Sequence, residues 1–225
     1  MLEILYYDTD IAVCIKPSGV LSEESGERSL PVLLKNELCL MGAKFEGIFP
    51  VHRLDKETSG LIVYALNSKS AAALSRTIQL GEMKKIYHAL CIGLVEPSSA
   101  RLCDLLFYDR KRGKSFVVDR KRNGVKEAEL EYTVLDRIDG KSLLSVELFT
   151  GRTHQIRVQL ASRGYPLCGD RRYGASAEYG NSFCLCAVEL TFKHPRTGES
   201  LNFKINDNFE FERAVQEKNG KSINV

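Results

Sequence analysis

The sequence predicts a mixed α+β domain: a bent, largely antiparallel sheet with flanking helices and a central cleft. Three observations carry that prediction. Most β-branched and aromatic runs are joined by short turns, and only three stretches show helical periodicity, which favours hairpins over a doubly wound order. With 225 residues, 44% of them hydrophobic, the chain can bury a sizeable core within one domain. Neither an internal repeat nor a low-complexity linker divides it. One domain is therefore expected over 1–210, followed by a polar tail over 211–225.

Taken in order, the runs 2–7 and 11–16, separated by Asp8-Thr9-Asp10, read as a hairpin. Pro17 presets φ and Gly19 permits the reversed backbone of the turn that follows. Leu30, Leu33, Leu34, Leu38 and Met41 recur at helical spacing, so an amphipathic helix is expected over 29–41, closed by Gly42. The run 60–65 is continuous and apolar, a buried strand entered through Gly60. Asn67 is a good N-cap for a helix over 68–80 that stops at Gly81. Residues 84–93 form a strand with Lys85, Tyr87, Ala89 and Cys91 on one face. Residues 101–126 read as short strands alternating with charged turns. The run 127–135 turns Ala128, Leu130, Tyr132 and Val134 inward, and 143–149 is a further strand. Thr150-Gly151-Arg152 turns into a third helix over 153–163, with His154, Arg157 and Ala161 on one face. A last hairpin joins 183–194 to 201–205 through the Pro195 and Gly198 loop. The cleft is expected between two halves, with Gly60–Ala65 on one wall and the third helix on the other.

Composition narrows the function classes. No run of about eighteen apolar residues occurs, so no transmembrane helix is expected. The N-terminus lacks a basic region followed by an apolar core, and the cytoplasm is the expected compartment. Seven cysteines, an odd number without a Cys-x-x-Cys pair, read as small buried hydrophobes in a reducing compartment. His52 and His154 are far apart in sequence and lack ligand-spaced partners, so no metal is expected. No phosphate loop of the P-loop or Rossmann type is present. Net charge is only +3, yet it is unevenly spread. Between 110 and 126 eight basic residues face one acid, Asp119, and between 151 and 174 five arginines face only Asp170. Such asymmetry is the footprint of a face that meets polyphosphate.

The chain is organised around Val51-His52-Arg53-Leu54-Asp55-Lys56-Glu57-Thr58-Ser59-Gly60-Leu61-Ile62-Val63, a polar loop that hands over to the buried strand. Loops pinned to a rigid scaffold commonly display reactive groups in this way. Three further segments stand beside it: 15–20 (Ile-Lys-Pro-Ser-Gly-Val), 84–89 (Lys-Lys-Ile-Tyr-His-Ala) and 150–158 (Thr-Gly-Arg-Thr-His-Gln-Ile-Arg-Val), the last continued by 169–174 (Gly-Asp-Arg-Arg-Tyr-Gly). In this order they resemble the RluA-type family of RNA pseudouridine synthases. Two departures stand out: Gln159 replaces a histidine found in many relatives, and the catalytic core begins without an S4-like RNA-binding domain.

The resemblance implies the pseudouridine synthase fold and isomerisation of uridine to pseudouridine in structured RNA, ribosomal or transfer. It implies no cofactor, because the reaction has no net redox change, and it implies a monomer. Asp55 matches the essential aspartate, Tyr87 the tyrosine that stacks on the target base and is placed to help remove its C5 proton, and Arg157 the basic partner of the aspartate. Arg53 matches the arginine that fills the space left by the extruded nucleotide. His52, Lys16, Thr58, Arg152, His154 and Gln155 fall in the same motifs as RNA-contacting positions, and the basic cluster adds Arg120, Lys121 and Arg122. The alternative reading is a non-catalytic RNA-binding protein on the same fold. A glycosidase releasing free uracil ranks last, since no second carboxylate is evident from spacing.

Overall fold

The computed structural model describes residues 1–24, 26, 28–176 and 183–205, and of Ile138 the backbone alone. The tail expected over 211–225 lies outside the described residues. The elements run β1 (Ile4–Tyr7), β2 (Ile11–Lys16), α1 (Leu30–Leu40), β3 (Phe49–Pro50), β4 (Ser59–Ala65), α2 (Ser68–Gln79), β5 (Lys84–Ile92), β6 (Ser99–Asp109), β7 (Lys114–Val118), β8 (Val125–Ile138), β9 (Lys141–Leu148), α3 (Gln155–Ala161), a single 3-10 turn (Arg171–Tyr173), β10 (Leu185–Lys193) and β11 (Ser200–Lys204). The eleven strands among the described residues join one sheet in the order β1-β2-β4-β10-β5-β9-β8-β6-β7, with β3 beside β4 and β11 beside β10. Every pairing is antiparallel except β4 with β10.

β4 explains why its sequence is apolar throughout: every residue from Ser59 to Ala65 is buried. Ile62 and Tyr64 enter the larger core with Leu30, Leu34 and Leu38 of α1, while Leu61, Val63 and Ala65 enter a second core against Leu74 of α2. A strand covered on both faces cannot show the alternation of a half-exposed one. Each fully buried leucine of α1 contributes about 2 kcal/mol by leaving water. Asn67 caps α2 as its position suggested, its side chain accepting the Ser70 N–H at 2.9 Å.

The β4–β10 seam explains Gly60. Its φ is +108°, and a Cβ built there would lie 2.3 Å from the Ala187 carbonyl oxygen and 2.6 Å from the Ala187 nitrogen. Only glycine permits so close a backbone approach. Gly60→Ala is expected to cost on the order of 3 kcal/mol from strain and clash combined. Urea unfolding checks this, and a midpoint equal to wild type would refute it.

Three expectations need correction. Residues 99–118 form one long hairpin, β6 and β7, where several short strands were expected. α3 is shorter than 153–163, because His154 takes a left-handed backbone, φ +56°, and helix geometry starts only at Gln155. Cys14, Cys91, Cys168 and Cys186 are buried as expected and Cys184 is half-buried, but Cys39 and Cys103 lie on outward faces of α1 and β6.

Candidate active site

Asp55 sits on a loop that is clamped from beneath. Lys16, at the end of β2, is wholly buried and donates from Nζ to the carbonyls of Pro17 (2.9 Å), Val20 (2.7 Å) and Lys56 (2.8 Å). Three donors meeting three carbonyls satisfy a buried ammonium. Ser22 bridges the Leu54 N–H and carbonyl, and the Tyr64 hydroxyl donates to the Ser22 carbonyl at 2.7 Å. Thr58 closes the loop with its N–H on the Asp55 carbonyl at 3.0 Å. Lys16 therefore holds the loop up and has no face left for RNA, which corrects its expected role. The Thr58 side chain is likewise buried, with its hydroxyl unpartnered, although the residue lies at the edge of the cleft.

Arg157 reaches Asp55 from α3. Its Nη1 donates to Asp55 Oδ2 at 3.0 Å, while Nε and Nη2 form a fork to Asp170 at 2.7 and 2.9 Å. Its Cζ lies 4.1 Å from the Phe183 ring centroid and 5.0 Å from that of Tyr173. One guanidinium is thus shared by two carboxylates and packed between two rings, a geometry that lysine could not reproduce. Burial alone would lower the Arg157 pKa, but the Asp170 hydrogen bonds and both carboxylate charges outweigh it and raise it. Of the two acids, Asp170 is sealed off and Asp55 keeps 21% of its side chain open to the cleft. The arrangement leaves one carboxylate oriented by its partner and reachable.

His154 stands beside this pair, Nε2 3.9 Å from Asp55 Oδ2. Burial, opposed by Asp55 and assisted by Arg157 and Arg172, pushes its pKa down to about 4. The Tyr173 hydroxyl accepts the Ser115 N–H at 2.8 Å and meets His154 Nδ1 at 3.0 Å. For a neutral ring the network assigns the Tyr173 proton to Nδ1 and leaves the Nε2–H on the side of Asp55.

A cleft of about 560 Å³ lies over these groups, lined by the 51–55 loop, Thr58, Lys85, Tyr87 and the segment 148–157. Its walls are the loop preceding β4 and the turn leading into α3, with β4 itself beneath the floor. Tyr87 is buried, and burial, then the Asp55 charge, raises its phenol well above the usual tyrosine range. His52 is pushed down to about 3 by burial and the Lys85 ammonium, and its Nε2 accepts the Val63 N–H at 3.2 Å. That bond makes His52 a support of β4 as well as a wall of the cleft.

The remaining expected RNA contacts divide into two groups. Arg53 is exposed at the cleft mouth, donating to Thr153 Oγ1 at 3.2 Å, and Arg152 lies beside it with Nε on the Glu127 carbonyl at 2.8 Å. Both also line an adjoining groove of about 840 Å³ carrying Arg110, Lys111 and Lys126. Arg120, Lys121 and Arg122 are exposed in the β7–β8 turn, outside both hollows, with Lys121 paired to Glu127 and Arg122 over the Phe107 ring. Gln155, in contrast, is buried: its Oε1 accepts from Thr150 Oγ1 and the Arg152 N–H, and its Nε2 donates to the Glu129 carbonyl. It fixes the turn that carries Arg152 and is not an RNA contact in this arrangement.

Asp170, Tyr173 and Lys85 were not singled out as site residues. The first two lie in the 169–174 segment and Lys85 in the 84–89 segment, so the signal was present without a role attached. Gln159, the departure from the motif, is buried and donates to Asp104 Oδ2 at 2.7 Å, away from Asp55. Among the described residues, Asp8, Asp10 and His194 alone cluster closely enough to ligate a metal. Their atoms are already engaged with Tyr6, Asn67, Ser70 and Arg196, so the group reads as a knot tying the β1–β2 turn to α2 and the β10–β11 loop.

Residues 10–162 match a family model described as RNA pseudouridylate synthase. The chain is 36% identical over 228 residues to an uncharacterized RNA pseudouridine synthase of Aquifex aeolicus, covering 92% of this chain and 69% of that protein. It is 33% identical over 216 residues to the dual-specificity RNA pseudouridine synthase RluA of Haemophilus influenzae, covering 92% and 94% of the two chains. In fold it is similar to the human RNA pseudouridylate synthase domain containing 4, with a TM-score of 0.78 over 99% of this chain and 95% of that one, at 24% identity. The sheet, the clamped Asp55 loop and the matching sequence converge: this chain belongs to the RNA pseudouridine synthase family, a family of isomerases.

Proposed function

We propose that the protein converts uridine to pseudouridine in ribosomal or transfer RNA, with Asp55 as the essential carboxylate. The observation that carries the reading is the Asp55–Arg157–Asp170 arrangement at the floor of an open, base-sized cleft. A carboxylate aimed by a guanidinium suits a reaction in which the N1–C1′ bond breaks, the uracil turns over and C5 joins C1′. Tyr87 offers a flat face to the base. Its raised pKa supports a neutral phenol that stacks and donates, and weighs against its acting as the acceptor of the C5 proton. Arg53 is free enough at the mouth to fill the space a flipped nucleotide leaves, a step costing a few kcal/mol of unstacking.

The substrate class is supported by the relatives, one called dual-specificity and another, from Neisseria meningitidis, called a ribosomal large subunit pseudouridine synthase. A working monomer in a reducing cytoplasm is part of the reading, in keeping with seven cysteines that include no Cys-x-x-Cys pair. Tritium release from C5-labelled uridine, in total RNA of cells lacking the protein, tests the reading. Release with the label mapped to one or a few positions supports it, and RNA binding without release sinks it.

Beyond the cleft, Arg110, Lys111 and Lys126 with Arg120, Lys121 and Arg122 supply a basic face for the RNA backbone. Reversing the last three to glutamate is expected to weaken RNA binding at least tenfold and lower the salt slope by about two to three. An unchanged slope in a filter-binding series from low to high salt would reduce that turn to solvated surface.

A further inference from the structure

Lys85 is a cation in the cleft that the reading above leaves without work. It lies on β5 two residues before Tyr87, on the same face of the strand, and both side chains line the cleft. Two strand residues span about 6.6 Å, so one flat ring lying on Tyr87 comes within reach of Lys85. Its neighbour Lys84 is paired with Glu147 at 3.3 Å, whereas among the described residues no carboxylate pairs with Lys85, whose pKa answers to burial alone. At the reactive end, Arg157 Nη1 and His154 Nε2 lie 3.0 and 3.9 Å from Asp55 Oδ2. Lys85 is near enough to His52 for its charge to help depress that pKa, whereas Asp55 is not among the groups that shift Lys85. Gly151 opposite it carries no side chain, and a Cβ built there would already stand 4.0 Å from Nζ.

A base lying on Tyr87 with its ribose at Asp55 would therefore turn its far edge to Lys85. We propose that Lys85 is a catalytic residue whose ammonium stabilises the negative charge that collects on the uracil when the N1–C1′ bond breaks. The proposal rests on the isomerase reading. In that step the bonding pair stays with N1 and spreads to O2 and O4, while C1′ becomes electron-poor beside Asp55. When C5 then bonds to C1′ the ring supplies the pair, the C5 proton leaves and N1 regains one, so nothing is oxidised or reduced. A cation held half-dry in the cleft costs little reorganisation at that moment and acts most strongly where charge develops. Burial lowers the Lys85 pKa, consistent with a site kept partly free of water.

The test compares wild type with Lys85→Gln, Lys85→Met and Lys85→Arg in single-turnover tritium release from C5-labelled total RNA of cells lacking the protein. The expected result is a maximal rate about 10²-fold lower for the two neutral variants. Half-saturating enzyme concentration and its salt dependence stay within twofold of wild type, and Lys85→Arg regains at least tenfold of the rate. Unfolding midpoints of the purified variants verify that they are folded, and methionine keeps an apolar stem where glutamine places an amide. An unchanged maximal rate overturns the assignment. So does a loss of affinity with a salt slope lowered by about 0.7 to 0.9, which would make Lys85 a phosphate contact. A rate loss that arginine fails to restore also overturns it, as a packing effect. No release by wild type would instead sink the isomerase reading itself.

Discussion

Asp55→Asn is expected to lower tritium release by at least about 10⁴-fold while RNA affinity stays within about twofold of wild type. The substitution preserves shape and removes the charge. Arg157 keeps its two bonds to Asp170, so the fold loses no more than about 1 kcal/mol. Activity and stability are thus expected to separate cleanly. Single-turnover release and filter binding on the same RNA measure both. A variant that retains a tenth of the wild-type rate would remove Asp55 from the chemistry.

Arg157→Met is expected to do damage of a different kind. It strips the partner from Asp170, whose side chain is 1% exposed, and from Asp55 at once. Removing one member of a buried ion pair costs about 3–5 kcal/mol, because the charge left behind has neither water nor a counter-ion. For a chain of this size that is a fall of roughly 10 °C in the unfolding midpoint. Adding Asp170→Asn to Arg157→Met is expected to restore at least half of the lost stability and none of the turnover. Calorimetry on the two single variants and the double variant closes the cycle. If the double variant is no more stable than Arg157→Met, the stranded-charge account is wrong.

These two residues also mark what could be read before any coordinates. The order of elements and the antiparallel habit followed from turn spacing, and the continuous run 60–65 announced a doubly covered strand. Asp55, Tyr87 and Arg157 stood in motif segments whose spacing is specific, and the structure brings all three to one cleft. What stayed hidden was which motif residues face inward. Lys16 looks like any exposed lysine until three carbonyls are seen to converge on it. Gln155 reads as a polar contact on a helix, yet it faces back to Thr150 and Glu129 because the left-handed His154 rotates the start of α3. Asp170 stood in a motif segment and as one acid among arginines, but its role stayed hidden because it depends on a guanidinium thirteen positions earlier. One-dimensional patterns report periodicity well and convergence poorly.

The bond between Arg157 and Asp55 joins positions 102 apart in the chain. Closing so long a loop costs entropy before any contact across it can offset the loss. Strand pairings of large sequence separation make the same demand, and folds dominated by them form slowly. No fragment that omits either 55 or 157 can hold the pair, so a nascent chain presents its 110–126 cations before it has a finished reaction centre. During synthesis the protein is thus a polycation first and an isomerase only after its two halves have met.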